Sequence, residues 1–257
     1  MRVDKVLVEI GTISRVKINR PEKHNALDIE TVELIVRAMA KASECKECRS
    51  IVISGSGGSA FCSGADLNYL YGISSQAEAE KAFDLFYKLR RSIIDSGKFV
   101  VAMIDGYCLG GGNEIAIACD ARFASKGSFF GQPEVKLGLV PGGGSTYALA
   151  QLVGLPKAKE MILTGRNMDA YEALYIGLVN GIFEKAELSA AVDSLCNSVA
   201  ACSPGAVAMA KSAINKVYEP DYRNERIAFA RSVVGQEAKD GIRAFLDHKQ
   251  PKFSRGV

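Results

Sequence analysis

Two glutamates could do chemistry in this chain, Glu114 and Glu134, and both close the stretch that begins at Phe99. Glu114 follows Gly110-Gly111-Gly112 and precedes Ile115, Ala116, Ala118 and Cys119, an apolar setting in which a carboxylate without a task or a partner is costly. Glu134 follows Gly131-Gln132-Pro133. Taken alone, Glu114 could simply complement a helix dipole, and Glu134 could be a solvated loop group. A carboxylate pair beside an anion-stabilising pocket is instead equipped for proton transfer next to a carbonyl, where enolate formation is the expensive event. The glycines suit such a pocket, because they let a ligand approach helix-start N–H groups that have no intrahelical acceptor. A second glycine loop, Ser54 to Leu67, follows the apolar run Ser50 to Ile53 and offers another set of backbone donors.

Rival readings of the glycine loops fail on spacing. From Gly110 a dinucleotide fingerprint would need glycine where Ile115 stands, and a P-loop would need Gly-Lys-Ser/Thr where Gly112-Asn113-Glu114 stands. No G-x-S-x-G nucleophile elbow occurs. The only histidines are His24 and His248, so a histidine-based metal site or a Ser-His-Asp triad is poorly supported. Cys45-x2-Cys48 is the one cysteine pair with ligand spacing, and with no second pair its expected role is structural. Seven cysteines without a secretory signal read as free thiols. No metal site is expected. A third glycine run, Pro141 to Gly144, reads as a tight turn supporting the Glu134 segment.

The elements that must position these residues follow from periodicity. Residues 1–19 alternate about Gly11 as a β-hairpin rather than a signal peptide. Asp28 caps a predicted helix from Ile29 to about Ala42, with 32, 35, 36 and 39 on one face. Gln76 to Asp95 reads as a second amphipathic helix, Phe99 to Ile104 as a buried strand, and Asn113 to Cys119 as a buried helix. Alternating strand, glycine loop and helix up to about residue 185 argues for an α/β body with largely parallel pairing. Beyond it, helices are expected over 187–201, 204–218, 222–237 and 239–247. The 257 residues are 48% hydrophobic and 24% charged with a net charge of +3, an ordinary globular balance. Basic residues are dispersed, so no nucleic-acid partner is expected, and no run approaches the ~20 apolar residues of a membrane span. A cytoplasmic location is the expectation.

The motifs, in their order along the chain, resemble the enoyl-CoA hydratase/isomerase (crotonase) superfamily: Asn19-Arg20-Pro21 with Asn25-Ala26-Leu27, Phe61-x2-Gly64-Ala65-Asp66-Leu67, Gly106-x3-Gly110-Gly111-Gly112-x-Glu114, Cys119-Asp120, Phe130-Gly131-Gln132-Pro133-Glu134, Gly138-x2-Pro141-Gly142, Leu163-Thr164-Gly165, and Ala244-Phe245-Leu246 before Pro251. The resemblance implies an α/β, crotonase-like ββα spiral core (1–186) and a C-terminal helical trimerisation region (187–257), assembled as a homotrimer or a dimer of trimers. It implies a 2-enoyl-CoA hydratase acting on an acyl-CoA thioester, with coenzyme A as part of the substrate and no metal or redox cofactor. Backbone N–H groups of Ala65 and Gly111 would hold the thioester oxygen. Glu114 would help activate water, and Glu134 would deliver a proton to the α-carbon. Substrate contacts would come from His24, Ala26, Leu27, Ala65, Asp66, Leu67, Gly110 and Gly111, with Tyr69, Leu70 and Tyr71 near the acyl chain. An enoyl-CoA isomerase, needing typically one of the two acids, is the runner-up, and an RNA-binding relative the remote alternative. Two departures are visible: the family's frequent Gln-Arg pair is Tyr147-Ala148, and a frequent lysine is Asn68. The CoA phosphates would then fall to Lys249, Lys252 or Arg255.

Overall fold

The structure is a computed structural model that describes residues 4–217, 222–251 and 253, so Lys252 and Arg255 lie outside the described residues. The amino-terminal alternation forms β1 (Val6–Glu9) and β2 (Ile13–Ile18), an antiparallel pair. Helix α1 (Ile29–Glu44) starts at Asp28, whose carboxylate accepts the Thr31 N–H at 2.8 Å, and it buries Val32, Ile35 and Met39.

From there the strands come in pairs that part company. The pairs are β3 (Ser50–Gly55) and β4 (Ala60–Cys62), then β5 (Phe99–Ile104) and β6 (Tyr107–Leu109), then β7 (Ala121–Ser125) and β8 (Phe129–Gly131). Between the first two pairs run α2 (Leu67–Gly72) and α3 (Gln76–Ile94), and between the last two runs α4 (Gly111–Ala118). After β8 come a 3-10 turn (Glu134–Leu137), α5 (Ser145–Val153), α6 (Leu155–Thr164), β9 (Asn167–Asp169), α7 (Ala170–Tyr175) and β10 (Gly181–Phe183). Among the described residues the first strand of each pair joins a six-stranded sheet ordered β1-β2-β3-β5-β7-β10, and the second joins a four-stranded sheet ordered β4-β6-β8-β9. All pairings are parallel except β1 with β2 and β8 with β9. The chain thus winds between two sheets as a spiral.

The centre of the larger sheet is covered on both faces, which is why β3 and β5 are nearly continuous apolar runs rather than alternating ones. Ile51, Ile53, Val100, Ala102 and Ile104 face the main core with α1. Val52 and Val101, one residue out of phase, pack with Leu188, Val192 and Cys196 of α8 (Lys185–Ala200). The expected helical tail therefore begins two residues earlier than its sequence reading, with its first helix lying on the sheet. It continues as α9 (Pro204–Val217), α10 (Arg223–Val234) and α11 (Gln236–Leu246). The break between the last two helices falls at Gly235, not after Glu237 as the sequence reading has it. Gly235 is extended (φ −68°, ψ 154°), the poor helix former in that stretch. A second core cluster joins Leu70 of α2, Phe83 of α3, Leu139, and Phe229 and Val233 of α10. Helix α11 lies so close to the 3-10 turn that a β-carbon at Gly241 would stand 2.5 Å from the Leu137 carbonyl oxygen. That contact backs the segment carrying Glu134.

Candidate active site

Strands β4, β6 and β8 are parallel neighbours, so their carboxyl ends open on one edge. In open α/β sheets that is where ligands bind. The chain leaving β4 reaches Ala65, the chain leaving β6 reaches Gly111, and the chain leaving β8 reaches Glu134. An isolated parallel bridge joins Leu27 to Ala65: the Leu27 N–H donates to the Gly64 carbonyl (2.8 Å) and the Asp66 N–H to the Leu27 carbonyl (2.9 Å). In such a bridge the N–H of the central residue points the other way, so that of Ala65 is turned from Leu27. Gly111 lies there: a β-carbon on it would be 3.5 Å from the Ala65 nitrogen.

The three glycines before Glu114 serve three ends. Gly110 has φ +52° and ψ −124°, a glycine conformation, and brings its backbone to the Glu134 carboxylate. Gly112 packs α4 against β4, where a β-carbon would meet the Cys62 carbonyl oxygen at 2.1 Å. Gly111 alone has room for one at ordinary contact distance, and its N–H belongs to the helix start, where no intrahelical acceptor exists. Two of the three are therefore required by the fold, and Gly111 is not crowded by its neighbours.

Glu114 is 7% exposed, in the first turn of the fully buried α4. Its Oε1 accepts the N–H groups of Gly143 (2.7 Å) and Ser145 (3.3 Å). The turn at 141–144, read from sequence as support for Glu134, thus supports Glu114; a β-carbon on Gly143 would lie 2.4 Å from Glu114 Oε2, so glycine is needed for the approach. Glu134 starts the 3-10 turn, its Oε1 receives Gln132 Nε2 at 3.3 Å, and Gln132 is itself fixed by Asn113 Nδ2 at 2.8 Å. Glu134 Oε2 is buried with no hydrogen-bond partner among the described residues. Burial pushes the Glu114 carboxyl up to about 7, the nearby Glu225 carboxylate adds to this, and the two backbone donors pull against it. Glu134 is raised well above its ordinary value, first by burial and then by repulsion from Glu114 and Glu225.

Glu225 went unread in the sequence. It is 4% exposed on α10 and accepts the N–H groups of Gly144 (2.7 Å) and Thr146 (3.0 Å) and the Thr146 hydroxyl. One signal could have found it: Glu225, Phe229 and Val233 are spaced i, i+4, i+8, so a charge heads the buried stripe of that helix.

The expected substrate contacts gather unevenly. His24, exposed and left-handed (φ 49°), lies beside the β4 end, where its carbonyl accepts the Ser63 N–H at 3.0 Å. Ala26 is half-buried with its carbonyl accepting the Arg20 guanidinium, and Leu27 is fully buried. Asp66 caps α2 by accepting the Asn68 N–H at 3.1 Å and pairs with Arg20 at 3.2 Å, the setting of a helix cap rather than of a catalytic acid. Leu67 and Tyr69 border the second core cluster, Leu70 is part of it, and Tyr71 is exposed beneath Lys239. Lys249 is exposed near Asp247 (3.8 Å). Cys48 is buried and gives its thiol to the Ser50 carbonyl, while the Cys45 and Cys48 carbonyls accept Lys98 Nζ at 3.0 and 2.9 Å. That segment is tied down by its backbone. Among the described residues no group of three or more His, Cys, Asp or Glu side chains is arranged to hold a metal ion, and no helix is long and apolar enough to cross a membrane.

A spiral of strand pairs presenting buried carboxylates at the ends of three parallel strands is an α/β enzyme of the crotonase fold. The chain belongs to the enoyl-CoA hydratase/isomerase family, whose profile matches residues 9–256. It is 35% identical over 255 residues to a short-chain-enoyl-CoA hydratase of Clostridium acetobutylicum, covering 97% of each chain, and 35% identical over 240 residues to a crotonyl-CoA hydratase of Syntrophomonas wolfei, covering 92% of each. A crystal structure of an enoyl-CoA hydratase from Mycobacterium avium subsp. paratuberculosis superposes with a TM-score of 0.88 at 29% identity, over 98% of this chain and 99% of that one.

Proposed function

We propose that this chain adds water reversibly across the double bond of a 2-enoyl-CoA to give the 3-hydroxyacyl-CoA. The observation that carries the reading is the unequal setting of two carboxylates beside two outward-facing backbone donors. The thioester oxygen sits between the N–H groups of Ala65 and Gly111, which gain strength as it takes on enolate charge. Glu114 receives two backbone N–H bonds, which favour its charged form, and so acts as the base on water attacking the β-carbon. Glu134 has one buried oxygen without a hydrogen-bond partner among the described residues, burial raises its affinity for its proton, and so it gives that proton to the α-carbon. Glu114 is then left holding the proton taken from water and Glu134 is ionised, so a proton passing from Glu114 to Glu134 resets the site and the net change is one water added; in dehydration the roles exchange. The chemistry asks for no metal or redox cofactor, since coenzyme A arrives with the substrate.

The residues at 24–27 and 64–67, joined by the Leu27–Ala65 bridge, form the wall along which the CoA moiety lies in this reading, with Lys249 available to its phosphates. The exposed apolar side chains of Leu155, Leu163, Tyr171, Leu174 and Tyr175 on α6 and α7 support a homotrimer or dimer of trimers. A cytoplasmic place in fatty-acid breakdown completes the proposal. The test is loss of the conjugated-thioester absorbance over 2-enoyl-CoAs of rising length, beginning with crotonyl-CoA because of the two relatives' names. Hydration of at least the short members is expected. An enzyme that hydrates none of them but shifts the double bond of a 3-enoyl-CoA is an isomerase, and the proposal falls.

A further inference from the structure

The turn between Pro141 and α5 hands out its amide protons alternately. Those of Gly143 and Ser145 go to Glu114, and those of Gly144 and Thr146 go to Glu225. The Thr146 hydroxyl also donates to Glu225. Two buried carboxylates from different helices, α4 and α10, thus hold one helix N-terminus through interleaved donors, so a shift of either disturbs a donor of the other. We propose that Glu225 is a positioning residue for the reaction: by gripping Gly144 and Thr146 it fixes where Gly143 meets the Glu114 carboxylate, and its charge opposes the charge on Glu114. This rests on the reading of Glu114 as the base.

The groups that face Glu225 make the device work. From α3, the Arg90 guanidinium lies at Gly144 and over the Tyr147 ring (5.2 Å from its centroid), with Nε and Nη1 buried and without hydrogen-bond partners among the described residues. It supplies the positive charge that favours ionised Glu225. From α5 come Thr146 and Tyr147, from the residue before α10 Tyr222, whose ring meets that of Tyr147 edge-on, and from α4 and the 3-10 turn Glu114 and Glu134. Where the family often places an arginine early in α5, this chain has Ala148, and Arg90 brings a cation to the turn before that helix from α3. Burial raises the Glu225 carboxyl, while the Thr146 and Gly144 donors and Arg90 oppose the rise. An ionised Glu225 makes it harder for Glu114 to lose its proton, so removing that charge lets Glu114 become a base at lower pH.

The experiment is the pH profile of kcat/KM for hydration, measured on the full chain and on Glu225→Gln and Glu225→Asp. Glu225→Gln loses the charge; its acid limb is expected to move down by about half a pH unit or more. Glu225→Asp keeps the charge but is one methylene short of reaching both donors. Its acid limb stays where it was while kcat falls by about tenfold, since a small misplacement of a base is costly. An unmoved acid limb in Glu225→Gln overturns the proposal, and so does failure of both variants to fold, which would make Glu225 a folding residue only. Glu114→Gln separates the two readings. If it keeps normal turnover, the base assignment fails; if it is inactive while the limb of Glu225→Gln is unmoved, only the role of Glu225 fails.

Discussion

The edge where β4, β6 and β8 end and the turn that faces it at 141–146 use the same device in opposite ways. Each is a glycine-containing loop running into a helix start, rich in N–H groups that the helix cannot satisfy. At the strand edge the Ala65 N–H is directed away from its bridge partner, and the Gly111 N–H heads α4, the two donors that we propose hold the thioester oxygen. At the turn, four successive N–H groups are taken by protein carboxylates, Glu114 and Glu225. What decides between the two uses is whether a side-chain anion reaches the loop from inside the protein. In the proposed mechanism one loop serves the substrate, and the other anchors the Glu114 carboxylate that acts on it.

The largest effects should come from removing the acid and the base. Glu114→Gln and Glu134→Gln are nearly isosteric and should each lower turnover by ~10²–10⁴-fold, with CoA-ester binding largely intact. Steady-state rates together with direct binding of a CoA ester check this. Near wild-type turnover in either variant would remove that residue from the mechanism.

A smaller and more pointed comparison replaces one amide by an ester, deleting a single N–H donor in each loop by semisynthesis. At Gly111 the loss should be about 10²–10³-fold in rate, with substrate binding much less affected, because the bond strengthens as the thioester oxygen gains charge. At Gly143 the partner is Glu114, which keeps Ser145 as a donor, so the loss should be smaller and should appear as a higher pH for the acid limb. Equal losses with unchanged pH profiles would mean that the two loops do not differ as described.

This contrast also sets what could be read from sequence. The strand edge was legible because each part is local: an apolar run, a glycine turn, then a helix start or an acid within a few residues, as in Phe99 to Glu114 and Phe130 to Glu134. The alternation of sheets was not, since nothing in the run at Ser50 to Cys62 says that its two strands pair with different partners. The turn was legible as a turn, yet its partner was misassigned, because Gly143 meets Glu114 across 29 residues and Gly144 meets Glu225 across 81. Periodicity records which face of α10 is buried; it is silent on which loop that face touches. The missing Gln-Arg pair shows the same limit, with Arg90 bringing its cation from α3.

The smallest expected effect is on stability, and it distinguishes the two carboxylates without any substrate. The unfolded chain releases the Glu114 proton near its ordinary 4.5, whereas the folded chain holds it until about 7. Between those values the folded state binds more protons than the unfolded state, so this group's contribution to stability falls as pH rises and is fully lost above about 7. Glu114→Gln has no such loss. Its stability relative to wild type should therefore climb by about 1–3 kcal/mol from pH 4.5 to 7 and then level off. Taking the difference between two pH values removes the shape and hydrogen-bond changes of the substitution, which do not titrate. Glu134 is raised by burial and by its acidic neighbours but lacks the two backbone donors that pull Glu114 down, so the relative stability of Glu134→Gln should go on climbing where that of Glu114→Gln has levelled off. Urea unfolding midpoints across this range would decide it. If both curves level off together, the backbone donors at Gly143 and Ser145 do not set Glu114 apart, and base and acid would have to be told apart by water contact alone.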